Sequence, residues 1–142
     1  MMKFALIAAL IFVVALTFFS LTKDKEISTV KIGNTTVKVE LADVEEERMQ
    51  GLSGRESLAE GNGLLFVFEK EGNYGFWMKD MKFAIDIAWI DKNQKIVHEE
   101  LGVSPETYPQ IFQPFTQNLY VLEVPAGFLT KNNIKIGDFV DF

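Results

Sequence analysis

Between Phe83 and Asp91 the chain runs FAIDIAWID. In an extended strand Phe83, Ile85, Ile87 and Trp89 fall on one face, and Ala84, Asp86, Ala88 and Ile90 on the other. Apart from Asp86, both faces are apolar. LLFVF, residues 64–68, is apolar at every position and is expected to be buried on both faces. Strands of this kind belong inside a β domain. Asp86 has only alanines beside it on its own face, so either something large packs there or a hollow is left.

Short β-branched stretches separated by turn signals fill most of the remaining chain. Residues 27–32 and 35–41 flank Gly33-Asn34, a two-residue hairpin turn. Asp43 is expected to cap a short helix, with Glu46 reaching back and Gly51 ending it in a left-handed conformation. Further strands are predicted over 76–80, 83–91, 95–100 and 119–124, with a final pair at 134–136 and 139–142. Residues 102–118 hold Pro105, Pro109 and Pro114 with Tyr108, Phe112 and Phe115. Irregular loops this long inside a compact domain are usually functional or packed. The sum is a mainly β, single domain of sandwich or barrel type, jelly-roll in style, with one short helix.

Residues 4–21 form an uncharged apolar run after Lys3. A helix of about 18 residues rises roughly 27 Å, enough to cross a hydrocarbon core. The expected organisation is an anchor or signal segment over 1–22, a charged linker over 23–27 and a soluble domain over 28–142. Ala15-Leu16-Thr17 makes a poor cleavage site, which favours an uncleaved anchor with the domain outside the cytoplasm. The 142 residues contain no cysteine, so there is no thiol nucleophile, disulfide or cysteine metal site. After residue 21 there are 20 acids and 13 bases, a net charge of −7. That balance argues against a nucleic-acid partner.

Several blocks in order resemble the family known as domain of unknown function 192. They are Arg48-Met-Gln-Gly51-Leu52-Ser-Gly-Arg55, Gly63-Leu-Leu-Phe66, Phe76-Trp77-Met78-Lys79-Asp80-Met81, Ile85-Asp86-Ile87, Ile90-Asp91, Tyr120 to Gly127, and Gly137-Asp138. The resemblance implies a small, often exported or membrane-anchored β-rich protein and no established reaction. Asp80 departs from it, since many members carry Asn there, and Trp89 stands where Phe is common.

The candidate ligand-binding residues are Arg48, Arg55, Trp77, Met78, Lys79 and Asp86, roofed by the proline-rich loop. Two arginines seven apart would hold an anion with their planar forks; the alternative is ion pairing, with Asp86 or Glu123 as partner. Trp77 and Met78, with Trp89, would form an apolar platform for a sugar or peptide, or else pack in the core. Asp86 and Glu123 are acids inside strands. They are also the weak catalytic candidates, as the acid and base of an envelope carbohydrate hydrolase. His98, the only histidine, is expected at an exposed edge, and one histidine makes no ordinary zinc site. No metal or cofactor is expected. The expected role is a membrane-anchored binding module for a small ligand or an envelope protein.

Overall fold

The structure, a computed structural model, describes residues 27–142. The apolar run over 4–21 lies outside the described residues. Among the described residues no helix is long and apolar enough to cross a membrane.

Seven strands form one curled sheet. They are β1 (Ile27–Ile32), β2 (Thr35–Ala42), β3 (Asn62–Gly72), β4 (Ile85–Ile90), β5 (Ile96–Val103), β6 (Asn118–Pro125) and β7 (Val140–Asp141). Their order is β5-β4-β6-β3-β2-β1-β7. Every neighbouring pair is antiparallel except β2 and β3, which run parallel. A parallel pair needs a crossover, and helix α1 (Glu45–Gln50) with the turn after it supplies one. The two outer edges meet at one end. Lys95 bridges Phe139, Ile96 N–H donates to Asp138 O at 3.0 Å, and Gly137 N–H donates to Ile96 O at 2.8 Å. The expected mainly β, barrel-like domain is present, but as one sheet curled into a half-barrel rather than two packed jelly-roll sheets. Closing the sheet on itself hides edges that an open sandwich would leave unpaired.

Both faces of the central strands are covered. On the inner face Val37, Val39, Leu65, Ala88, Ile90, Leu122 and Val124 pack together, and Phe128 and Leu129 of α2 (Phe128–Lys131) close one end. On the outer face Leu64, Phe66, Ile85, Ile87, Trp89 and Val121 pack under Leu52 and Met78. The two-sided apolar pattern of residues 64–68 and 83–91 therefore has a physical cause. The sheet has a layer on each side at β3, β4 and β6.

Asp86 points into the inner face and is fully buried. Its Oδ1 accepts from Gly102 N–H at 2.8 Å and Gly127 N–H at 3.1 Å, and its Oδ2 accepts from Leu129 N–H at 3.0 Å. The large object expected beside its alanine neighbours is thus the start of α2. One side chain ties the end of β5 and the β6–α2 connection to the middle of the sheet.

Other expectations need correcting. The Asp43–Glu46 capping box does not form: α1 starts at Glu45 behind Val44, and Asp43 N–H instead donates to Glu47 Oε2 at 3.4 Å. Gly51 does end the helix at φ 50°, but with ψ −134° rather than a left-handed cap. Residues 76–80 are not a strand and contribute only the Phe76–Phe112 bridge. Residues 134–136 are not a strand, and β7 pairs with β1. Among the described residues there are two short helices rather than one, with a 3-10 turn at Pro105–Thr107.

Close backbone approach fixes one glycine. A Cβ on Gly63 would lie 2.8 Å from the carbonyl oxygen of Glu123, so β3 and β6 could not keep their spacing. Replacing Asp86 by alanine removes the acceptor of the buried Leu129 N–H and of the part-buried Gly102 and Gly127 N–H groups. The buried loss alone costs about 1–3 kcal/mol, so Asp86→Ala is expected to lower the unfolding free energy by roughly 2 kcal/mol or more in urea denaturation. A change below about 1 kcal/mol would show that the tie is dispensable.

Candidate functional site

The glycine turn after α1 and the segment before β4 face each other across the outer face of the sheet. They are joined at one end: Gly54 N–H donates to Asp80 O at 2.9 Å, and Ser53 Oγ donates to Lys79 O at 2.8 Å. Asp80 holds φ 56°. Aspartate and asparagine are the side chains that best tolerate this left-handed backbone, so the Asp-for-Asn departure at this position preserves its geometry.

Between these segments lies a cleft of about 670 Å³. Its aromatic lining comes from Phe66, Phe68, Tyr74, Phe76 and Trp77. Phe68 and Tyr74 stack at 3.5 Å, and Phe76 meets Phe66 edge-on at 4.8 Å. The wall is set from below by Trp89, which is fully buried and donates its indole N–H to Tyr74 O at 2.7 Å. Phe76 also packs edge-on against the Trp89 ring at 6.0 Å. A core tryptophan therefore positions the backbone that carries the exposed one.

Two cations flank the cleft. Arg48 lies over the Phe68 ring at 5.5 Å, and its Nη1 donates to the carbonyls of Asp43 and Val67. Lys79 Nζ lies 5.8 Å from the Trp77 ring centre. Trp77 itself is half exposed and leans on Tyr108 at 5.6 Å.

Glu123 of β6 also lines the cleft. It is 5% exposed, and its Oε2 has no hydrogen-bond partner among the described residues. Burial pushes its carboxyl up to about 8, with the positive charge of Arg55 opposing that shift only in part. Arg55 is committed elsewhere, forked onto Glu40 with two 2.9 Å contacts. A buried carboxyl with an unmet oxygen, at the edge of an aromatic cleft, is the kind of group that binding sites rather than cores retain.

The structure divides the residues expected to act together. Arg48, Trp77, Lys79 and Glu123 line the aromatic cleft. Met78 is 2% exposed and belongs to the core beneath it. Arg55 lines a separate hollow of about 770 Å³ on the other side of the glycine turn. The two arginines therefore do not grip one anion in this arrangement, and neither makes a hydrogen bond or ion pair with Asp86. Asp86 and Glu123 sit on neighbouring strands, opposite Val124 and Ile87 respectively. Val124 belongs to the inner cluster and Ile87 to the outer one, so the two carboxyls face opposite sides of the sheet. They cannot serve one substrate as acid and base, and Asp86 is sealed by backbone amides. The proline-rich loop is a buttress rather than a roof. Phe76 and Phe112 exchange two 2.8 Å backbone hydrogen bonds, Asn73 Nδ2 donates to Pro114 O at 3.0 Å, and none of residues 102–118 lines the cleft. His98 is half-buried, with its ring 5.1 Å from that of Trp89 and its Nε2 3.1 Å from Glu100. Among the described residues no group of acids or histidine is arranged to hold a metal ion.

Sequence reasoning missed the stacked pair Phe68 and Tyr74. Phe66 and Phe68 lie two apart on one strand face, and that spacing was the available signal.

A family model for DUF192, described as an uncharacterized ACR, matches residues 28–142. The chain belongs to this family. Two solved structures resemble the DUF192 domain described above. One, from Sinorhizobium meliloti 1021, is described as a "putative transcription regulator". It is 25% identical, covers 82% of this chain and 94% of its own, and has a TM-score of 0.78. The other is a protein of unknown function from Novosphingobium aromaticivorans DSM 12444. It is 23% identical, covers 86% of this chain and 89% of its own, and has a TM-score of 0.79. No curated protein matches the chain.

The raised Glu123 carboxyl ties stability to pH. An ordinary glutamate loses its proton near 4.5, whereas folded Glu123 holds it to about 8. Its contribution to stability is therefore full below about pH 4.5 and is lost as pH rises towards 8. Glu99 is raised by burial and by nearby Asp86 and Asp138, and contributes with the same sign. The wild-type melting temperature is expected to fall between about pH 5 and pH 8.5, and Glu123→Gln to remove most of that fall. Equal slopes in the two proteins would show that Glu123 titrates normally.

Proposed function

We propose that this DUF192 protein is a binding module, held to the membrane by residues 4–21 with its β domain outside the cytoplasm. Its recognition site is the aromatic cleft lined by Arg48, Trp77, Lys79 and Glu123. One observation carries this: a buried Glu123 carboxyl, whose Oε2 has no hydrogen-bond partner among the described residues, lines a cleft with five aromatic side chains. A cleft of about 670 Å³ is within the range that small ligands occupy. Aromatic rings supply flat apolar surface, and a few polar groups orient the guest. The uncharged run over 4–21 supports the membrane attachment. Asp86 and Met78 take no direct part. They are buried supports, and Arg55 acts on the cleft only through its charge near Glu123.

The regulator description of the Sinorhizobium protein stays with that protein. The net charge of −7 after residue 21 supplies no basic footprint for a phosphate backbone. A hydrolase of envelope carbohydrate through Asp86 and Glu123 is disfavoured by their placement on opposite faces.

The test is ligand-dependent stabilisation of the full chain in detergent against a panel of glycans, nucleotides and short peptides. A native-state ligand raises the melting temperature by mass action. Trp77→Ala is expected to weaken the response about tenfold or more. With Trp77 half exposed, the unliganded melting temperature should change little. No response to any probe, or one unchanged in Trp77→Ala, would remove the cleft as the site.

A further inference from the structure

The chemistry around Glu123 narrows the class of guest, on the footing that the cleft binds a ligand as proposed above. We infer that Glu123 is the specificity-determining group of the cleft and selects an uncharged amide, carried on an N-acetylated sugar or on a capped amino acid. Its carboxyl is 5% exposed, lines the cleft and has an oxygen with no partner among the described residues. A protonated carboxyl presents one O–H donor and one carbonyl acceptor. An amide presents the matching carbonyl and N–H. An ionised carboxylate only accepts, and would favour an amine instead.

The charged groups around the cleft decide between these two guests. From α1 come Glu45 and Arg48, and from the segment before β4 come Tyr74, Lys79 and Asp80. Opposite Glu123 on β3 and β4 stand Leu64 and Ile87, which do not titrate. From the glycine-turn side the charge acting on it is Arg55, itself neutralised by Glu40. Arg48 and Lys79 already occupy ring faces of Phe68 and Trp77. An incoming ammonium would have to displace them from those faces, while Glu45 and Asp80 offset their charge, so competition for the rings rather than net repulsion disfavours it. An amide is planar and uncharged, so it can lie against the aromatic wall without that penalty. Burial holds Glu123 protonated to about 8, so the donor is present at neutral pH.

The experiment is NMR titration of the full chain in detergent, following the Trp77 indole N–H, assigned by its loss in Trp77→Phe. The probes are N-acetylglucosamine, N-acetylalanine amide and glucosamine, at about pH 6.5 and pH 9.5. At least one acetylated probe is expected to bind about tenfold or more tightly than the amine, and to weaken several-fold at the higher pH. Which of the two binds names the source of the amide. Glu123→Gln keeps a donor and an acceptor, so it should keep binding and lose the pH dependence. Glu123→Leu should lose binding. Glucosamine binding as tightly as the amides, or a Glu123→Gln profile still falling with pH, would overturn the inference. If the amides fail while another probe from the panel moves Trp77, the inference falls and the binding cleft stands. If no probe moves Trp77, both fall.

Discussion

The Asp86 carboxyl holds the inner side of this domain together. It gathers backbone N–H groups from Gly102, Gly127 and Leu129 around one buried side chain. Without it the first turn of α2 would have no partner at the point where it closes the half-barrel, and an unmet N–H in a dry interior is costly. One strand away, Glu123 is nearly as deeply buried but faces the other way and has no such cradle. The two acids look alike in the sequence and meet opposite fates. One is satisfied and structural; the other is unsatisfied and opens on a cleft.

The outer layer makes that cleft possible. Gly51 and Gly54 turn the chain after α1, and Trp89 fixes the carbonyl of Tyr74 from inside the sheet. The proline-rich loop then braces the same segment from behind through Phe112. Three separate parts of the chain thus hold the aromatic wall still. A wall held this way is preorganised, which lowers the cost of ordering it around a guest. It also explains why a loop with three prolines and only one 3-10 turn can be part of a compact domain.

Much of the fold was legible because strand patterns reflect burial directly. The Gly33-Asn34 hairpin, the alternation in residues 83–91 and the two-sided strand at 64–68 all correspond to observed elements. The misplaced elements have physical reasons. Phe76 to Asp80 is apolar enough for a strand, but Asp80 adopts a left-handed conformation and the segment is tied to the glycine turn instead. Residues 134–136 follow α2 closely and are used to return the chain, not to pair. For the site, Arg48, Trp77 and Lys79 were readable as motif residues and candidate ligand contacts. The separation of Arg48 from Arg55, and of Asp86 from Glu123, depends on which side of a curled sheet each residue faces. No local pattern encodes that.

The most direct measurement is the titration of the Glu123 side-chain carboxyl by carbon-detected NMR, in the full chain without ligand. A midpoint near 8 is predicted. It would mean that the group lining the cleft is a neutral acid at physiological pH, held so by burial. A midpoint near 4.5, the ordinary value, would mean that water or a cation reaches Glu123. The cleft would then lack the buried, neutral acid on which the account rests.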